Sequence, residues 1–250
     1  MKRLVIISDL HCGHKLGMVP PSREGWQTTV VQKKLWKWYE KQAKALGPVD
    51  ALVCNGDAID GKSPKSGGNE LITTDREEQV RMAMECINQF DAKKVYIIAG
   101  TPYHTGQEEN FEKILADYLG ARFDLAMSLD VNGCMFNFRH KISSSTVPHG
   151  RATALLREQL WTILGACVKE NVKADVVVRS HVHYHVMAKT RFGLALTTPG
   201  LQLSSDFGTR ICQGIIDVGF LYFDIKSRED YRWQELLVHE PFQVAPVEKI

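Results

Sequence analysis

The chain has 250 residues, 44% of them hydrophobic and 24% charged, with a formal net charge of +2. That length fits a single domain over 1–250, with a core large enough to need neither disulfides nor a structural metal. No apolar stretch approaches the roughly eighteen residues of a bilayer span, which argues against a membrane partner, and the near-even charge carries no bulk signature of nucleic-acid binding.

In chain order, the apolar run 4–7 (LVII) predicts a buried strand. Leu35, Trp36, Tyr39, Ala43 and Leu46 recur at helical spacing, so a helix is predicted over 32–46, stopped by Gly47-Pro48. A second buried strand is predicted over 51–54. Val80, Met82, Met84 and Ile87 then place a helix over 75–90, followed by a strand over 95–99 and a helix over 108–119. This alternation predicts α/β layering with parallel strands. Beyond it the rhythm changes. Strands are predicted over 134–138, 176–178, 186–189, 194–197, 215–223 and 233–238, interrupted by one long helix over 151–170. A second sheet with more antiparallel pairing is expected from them. Three loops, 13–26, 61–74 and 141–150, are rich in Gly, Pro, Ser and Lys, and long loops in compact domains are commonly functional or disordered.

Six cysteines, Cys12, Cys54, Cys86, Cys134, Cys167 and Cys212, form no C-x-x-C pair, as reduced thiols in a cytoplasmic protein do. The opening MKRLVIISDLH reaches an aspartate too early for a signal-peptide core, so a cytoplasmic location is expected.

The chemistry stands just past the apolar runs. After LVII come Asp9 and His11, and after ALVC come Gly56, Asp57 and Asp60. Gly100 and His104 follow VYIIA, His140 follows MFNFR, and His181 and His183 follow DVVV. Carboxyl ends of strands are where open α/β sheets bind ligands. Carboxylate oxygens mixed with imidazole nitrogens suit Mn, Fe, Zn or Ni better than Ca. Asp9 and His11 lie two apart, as do His181 and His183, so in extended backbone each pair points to one face. Two divalent ions about 3.5–4 Å apart, bridged by a carboxylate such as Asp57, would bring the pKa of a bound water towards roughly 7. Each residue alone has a plain structural reading: a satisfied turn histidine, a Gly-Asp turn, a helix cap at Asp60. Together those readings require five coincidences at strand ends.

In this order, D-x-H, G-D-x-x-D, a glycine-histidine turn, a lone His and H-x-H resemble the calcineurin-like metallophosphoesterase superfamily, over Asp9 to His183. The resemblance implies a four-layer αββα sandwich of two mixed β-sheets flanked by helices, with a dinuclear metal centre. It assigns Asp9, His11, Asp57 and His183 to the first ion, and Asp57 as bridge with His140 and His181 to the second. Manganese is the first expectation, with Fe, Zn or Ni as alternatives. The superfamily adds an asparagine ligand and a proton-donating histidine from a Gly-Asn-His turn. Here the turn reads Gly100-Thr101-Pro102-Tyr103-His104, a variant similar to a phage and prophage branch. Thr101 becomes a weak ligand or an outer contact, Asp60 an orienting group, and His104 either the general acid or a ligand of the second ion.

The implied function is metal-dependent hydrolysis of a phosphate ester, a phosphodiester or phosphomonoester of a nucleotide or nucleic acid, with Asp57 essential. The alternatives are a non-catalytic scaffold that keeps the fold, and a protein phosphatase, although 56–61 lacks the arginine of Gly-Asp-x-Val-Asp-Arg-Gly. Elsewhere the plainer readings are preferred. His14 and His149 are expected in solvent, His185 is either a third inward residue or packing, and Cys12 is structural. Trp36, Trp38 and Tyr39 form a core stripe more readily than, with Trp26, a stacking platform, while Lys62 and Lys65 are solvated.

Overall fold

The computed structural model describes residues 1–23, 25–26, 28–62, 67–106, 109–204 and 215–239, so Lys65 and Cys212 lie outside the described residues. The elements in chain order are β1 (Lys2–Ile7), α1 (Val30–Leu46), β2 (Ala51–Cys54), α2 (Arg76–Ile87), β3 (Val95–Ile98), the one-turn α3 (Pro102–Thr105) and α4 (Phe111–Leu119). There follow β4 (Arg122–Asp124), β5 (Ala126–Val131), β6 (Cys134–Arg139), α5 (Gly150–Cys167), β7 (Val176–Arg179), β8 (Met187–Thr190), β9 (Gly193–Thr197), β10 (Gly219–Ile225) and β11 (Tyr231–Leu237).

Local chemistry sets the boundaries. Thr29 and Gln32 close a capping box, so α1 begins before the predicted 32. Asn110 caps α4 by accepting from the Glu112 and Lys113 amides, which moves its start past the predicted 108. α5 stops short of 170 because Lys169 turns left-handed, with φ 62°. The short β4, β5 and the single turn of α3 were not among the predicted elements.

Two sheets result, ordered β11-β10-β1-β2-β3-β4 and β5-β6-β7-β9-β8. β1 to β4 are parallel, as the alternation predicts. The strands predicted over 215–223 and 233–238 correct the picture of a second sheet. Observed as β10 and β11, they return to the first sheet, β10 antiparallel to β1. In the second sheet β6, β7 and β9 are parallel, and only its outer pairs are antiparallel.

The buried strands are apolar on both faces, as doubly covered strands must be. Leu4, Ile6, Val53 and Ile98 meet Phe136, Phe138, Val176, Val178, Leu194 and Leu196 between the sheets. Val5, Ile7, Leu52, Cys54 and Ile97 face the other way, onto Leu35, Trp36, Tyr39, Val80 and Leu115 of α1, α2 and α4. Leu155 of α5 packs on Val177 and Ala195. The layers are therefore helices, sheet, sheet, helix. Among the described residues, no helix is long and apolar enough to cross a membrane.

Candidate metal centre

The turns after β1, β2, β3, β6 and β7 converge. Three overlapping groups each bring one ligand atom per residue within 4.8 Å of the others: Asp9, His11 and His183; Asp57, His140 and His181; and His11, Asp57 and His104. Since His11 and Asp57 are shared, the groups form one continuous cluster. Asp9, His11, Asp57 and His140 are buried, and the His181 side chain is the most open of the ring, at 34%.

The backbone that delivers these side chains is not the extended one that the two-residue spacing suggests. β1 ends at Ile7 and β7 at Arg179, and Asp9, His11, His181 and His183 have φ of 52°, 44°, 75° and 52°. Seven non-glycine residues have positive φ among the described residues, and five of them are these four and Asp57. Such a conformation costs about 1–2 kcal/mol per residue and persists where neighbours over-determine it. Here they do. The Asp9 amide donates to Gly56 O at 2.9 Å, the His11 amide to Asp57 O at 3.0 Å, and the Ser180 amide to His140 O at 2.8 Å.

Second contacts then fix each ring. His140 Nδ1 donates to Asn55 O at 2.7 Å, which leaves Nε2 3.0 Å from Asp57 Oδ2. His11 Nδ1 lies 2.9 Å from Asp60 Oδ1, and its Nε2 faces His183 Nε2 at 3.3 Å. His104 Nδ1 donates to Asp60 O at 2.9 Å, so Asp60 steers two rings. Thr101 turns to Asp57: its amide donates to Oδ1 at 2.7 Å, and its hydroxyl lies 2.9 and 3.0 Å from Oδ1 and Oδ2. Gly56 and Gly100 are obligatory for the approach, because a Cβ would overlap the His140 ring at the first and Asp57 Oδ1 at the second.

One atom shows what this set of donors lacks. Asp9 Oδ1 is buried without a hydrogen-bond partner, although His183 Nε2 stands 3.3 Å away. A buried charged oxygen beside inward-facing imidazole nitrogens fits a cation by both donor type and deficit. The proton equilibria agree. Burial would raise the Asp9 and Asp57 carboxyls, but the charge of His183 on Asp9 and of His140 on Asp57 outweighs it, and both lie well below the usual range. Burial would lower His140, yet Asp57 and Asp9 carry it up to about 10. Burial takes His11 down to about 4. Protons on His140 and His183 thus stand where a divalent ion would supply positive charge.

Two supports were not legible as functional residues. Glu112 is fully buried on α4 and accepts from the Ala58 amide at 2.7 Å and the Gly100 amide at 2.6 Å, tying the turn of Asp57 to that of Thr101. Burial and the charge of Asp57 push its carboxyl up to about 7. Beneath the cluster, Ser8, Thr198, Ser180 and Asn55 form a buried relay of 2.7 Å contacts across the ends of β1, β9, β7 and β2. Nothing in their spacing marks them, because each is polar in a polar turn.

Other expectations are corrected or decided. His14 is not in solvent but 4% exposed, accepting from the Leu16 amide and 3.8 Å from Glu70. His185 stands outside the three groups, with Nδ1 donating to Thr197 O at 2.6 Å. Cys12 is buried, its sulfur 3.9 Å from that of Cys86 and its thiol pushed up by burial. Trp36 and Tyr39 belong to the core, whereas Trp26 is 40% exposed.

No family model and no curated protein matches the chain. Among solved structures, a variant of Vps29 from Entamoeba histolytica aligns at a TM-score of 0.49 and 11% identity, covering 95% of this chain and 99% of that one. Vps29 from Chaetomium thermophilum aligns at 0.47 and 11%, over 96% and 100% of the two chains. A structure described as a novel archaeal phosphodiesterase aligns at 0.45 and 13%, over 94% and 99%. The chemistry of the centre rests on its own residues. In outline, the chain is similar to Vps29 and to structures described as phosphoesterases.

Proposed function

We propose that the chain is a dinuclear metal-dependent phosphoesterase of the calcineurin-like superfamily. It acts on a phosphodiester or phosphomonoester of a nucleotide or nucleic acid. The observation that carries this reading is the unpartnered, buried Asp9 Oδ1 within a continuous cluster whose halves share Asp57 and His11. Asp9, His11, Asp57 and His183 would hold one cation, and Asp57, His140 and His181 the other, with manganese the first candidate and Fe, Zn or Ni the alternatives. Such cations supply charge stabilisation for phosphoryl oxygens and make water acidic enough to act near neutral pH.

The chain's own groups do the rest. Thr101 locks the orientation of Asp57, and Asp60 holds the rings of His11 and His104. Because His104 Nδ1 already donates to the Asp60 carbonyl, a second proton on that ring sits on Nε2. That is the atom from which a leaving alkoxide would receive it. On this reading His104 is the candidate general acid, with ligation of the second cation through the same Nε2 as the alternative.

The test is a panel of p-nitrophenyl phosphate, its bis ester, cyclic nucleotides and single-stranded DNA, run on metal-stripped and metal-reconstituted protein. Turnover that requires added divalent metal and disappears in Asp57→Asn is expected. Stoichiometric metal with no turnover of any phosphate ester would favour the scaffold reading instead.

A further inference from the structure

α5 packs chiefly on β7, β8 and β9, which leaves room beside it over β5 and β6. A cavity of about 140 Å³ occupies that room. Phe138 and Val178 point between the two sheets, so strand alternation turns Asn137, Arg139 and Arg179 to the outer face, where all three line the cavity.

Arg179 is the group that calls for an explanation. Only 3% of it is exposed, and a buried guanidinium ordinarily has partners for its fork of donors. Nε donates to Glu158 Oε2 at 3.0 Å, and Nη1 to Asn137 O at 3.2 Å and Val178 O at 2.8 Å. Among the described residues, Nη2 has no hydrogen-bond partner. A second guanidinium, Arg139, lines the same cavity, and its charge works against that of Arg179. Arg139 belongs to no ion pair among the described residues, and Glu158 is the one carboxylate on the cavity wall. Two cations therefore face one anion. Neutral donors complete the wall. Asn137 Nδ2 donates to Ser128 Oγ at 3.4 Å, which leaves the Ser128 hydroxyl hydrogen to donate elsewhere, and Asn171 lines the cavity from the chain after α5. Donors arriving from β5, β6, β7 and that last segment surround a tetrahedral oxyanion better than a planar carboxylate, and arginine forks suit its oxygens. The volume lies below the roughly 300–1,000 Å³ of sites for drug-sized ligands, so the occupant is a small anion or the anionic end of a longer molecule.

We propose that this cavity binds a phosphate-class oxyanion, held by Arg179 and Arg139 with Ser128 and Asn171 as neutral donors, whether or not the metal centre turns over a phosphate ester. Isothermal titration calorimetry on the full chain, stripped of metal and kept at constant ionic strength, tests it with inorganic phosphate and glycerol phosphate as probes. Saturable binding is expected, and the tighter probe tells a free anion from the end of a longer molecule. The indole N–H resonance of Trp161, which lines the cavity, should shift with the same saturation, Trp161→Phe identifying the signal. Arg139→Gln, at an exposed position, should weaken binding at least ~10-fold, the loss of one charge-assisted hydrogen bond. Arg179→Lys keeps the charge without the fork and should weaken it likewise, with circular dichroism verifying the fold. Glu158→Gln removes the competing charge and should tighten it. No saturable binding of either phosphate overturns the proposal. So does binding that Arg139→Gln leaves intact and that the Trp161 signal does not follow, since it then resides elsewhere. Acetate binding as tightly as phosphate overturns the choice of a tetrahedral anion.

Discussion

Thr101, which the motif resemblance aligns with an amide ligand, turns its hydroxyl to both oxygens of Asp57, and on the proposed reading this alters what is asked of His104. With that hydroxyl committed to the carboxylate, the group of Asp57, His140 and His181 has no further ligand from the β3 turn, while His104 stands in the adjoining group with His11 and Asp57. The two roles of His104 part in one variant. As general acid, His104→Ala keeps both metals by elemental analysis and slows alkyl esters by about 10²–10⁴-fold, with p-nitrophenyl esters far less affected because their leaving group needs no proton. Loss of one metal per chain would assign it as a ligand instead. Glu112 gives a second prediction at this scale. In Glu112→Gln one amide oxygen can still accept, but the NH₂ group confronts the other backbone N–H, either of Ala58 or of Gly100. A buried donor without an acceptor costs about 1–3 kcal/mol. Urea unfolding should show that loss together with lowered metal occupancy, and unchanged occupancy would reduce Glu112 to a purely structural residue.

The turns hold the element-scale lesson. That ligands stand at strand ends was legible, because a buried strand reads as an unbroken apolar run and the first Asp or His after it is conspicuous. Their conformation was not. Asp9 and His11, two apart, suggested extended backbone, but their left-handed φ values are imposed by bonds to Gly56 and Asp57, 47 and 46 positions along. Sheet membership failed for the same reason. β10 looks like a member of a late antiparallel group, and only its pairing with β1 across the chain sends it to the first sheet. Glu112 was hidden by company: in a helix that opens FEK, a glutamate reads as a solvent-facing residue. Non-local contacts decided each of these. Gly100 tests how tightly the turns are drawn. Gly100→Ala adds a methyl where Asp57 Oδ1 lies, so the β3 turn must retreat and carry Thr101 with it. Metal content and phosphoesterase turnover should fall together while the far-ultraviolet circular dichroism is kept. Full metal occupancy in that variant would refute the role given to the turn.

For the molecule as a whole, the charge stored in the centre links stability to pH in a way that metal should reverse. In the metal-free protein His140 is raised from 6.5 to about 10, burial opposing and Asp57 prevailing, so its contribution is complete below pH 6.5 and disappears as pH climbs to about 10. His11 runs the other way. Lowered by burial from 6.5 to about 4, it contributes fully above pH 6.5 and loses that contribution as pH falls towards 4. Asp57 and Asp9, held down chiefly by His140 and His183 against their burial, contribute above 3.8 and fail only in stronger acid. Glu112, with its carboxyl carried from 4.5 up to about 7 by burial and Asp57, opposes His11 over nearly the same range, so the metal-free protein should melt at a nearly constant temperature between about pH 4.5 and 6.5 and then decline on the alkaline side as the His140 contribution is lost. A cation held by the same nitrogens replaces those protons, and its affinity increases as they leave. Metal-loaded protein should therefore keep its melting temperature from pH 6.5 to 10 while the stripped protein loses stability. Stripped His140→Asn should show a flatter alkaline limb than the stripped parent. A stripped parent equally stable across that range would contradict the charge arrangement on which the proposed centre depends.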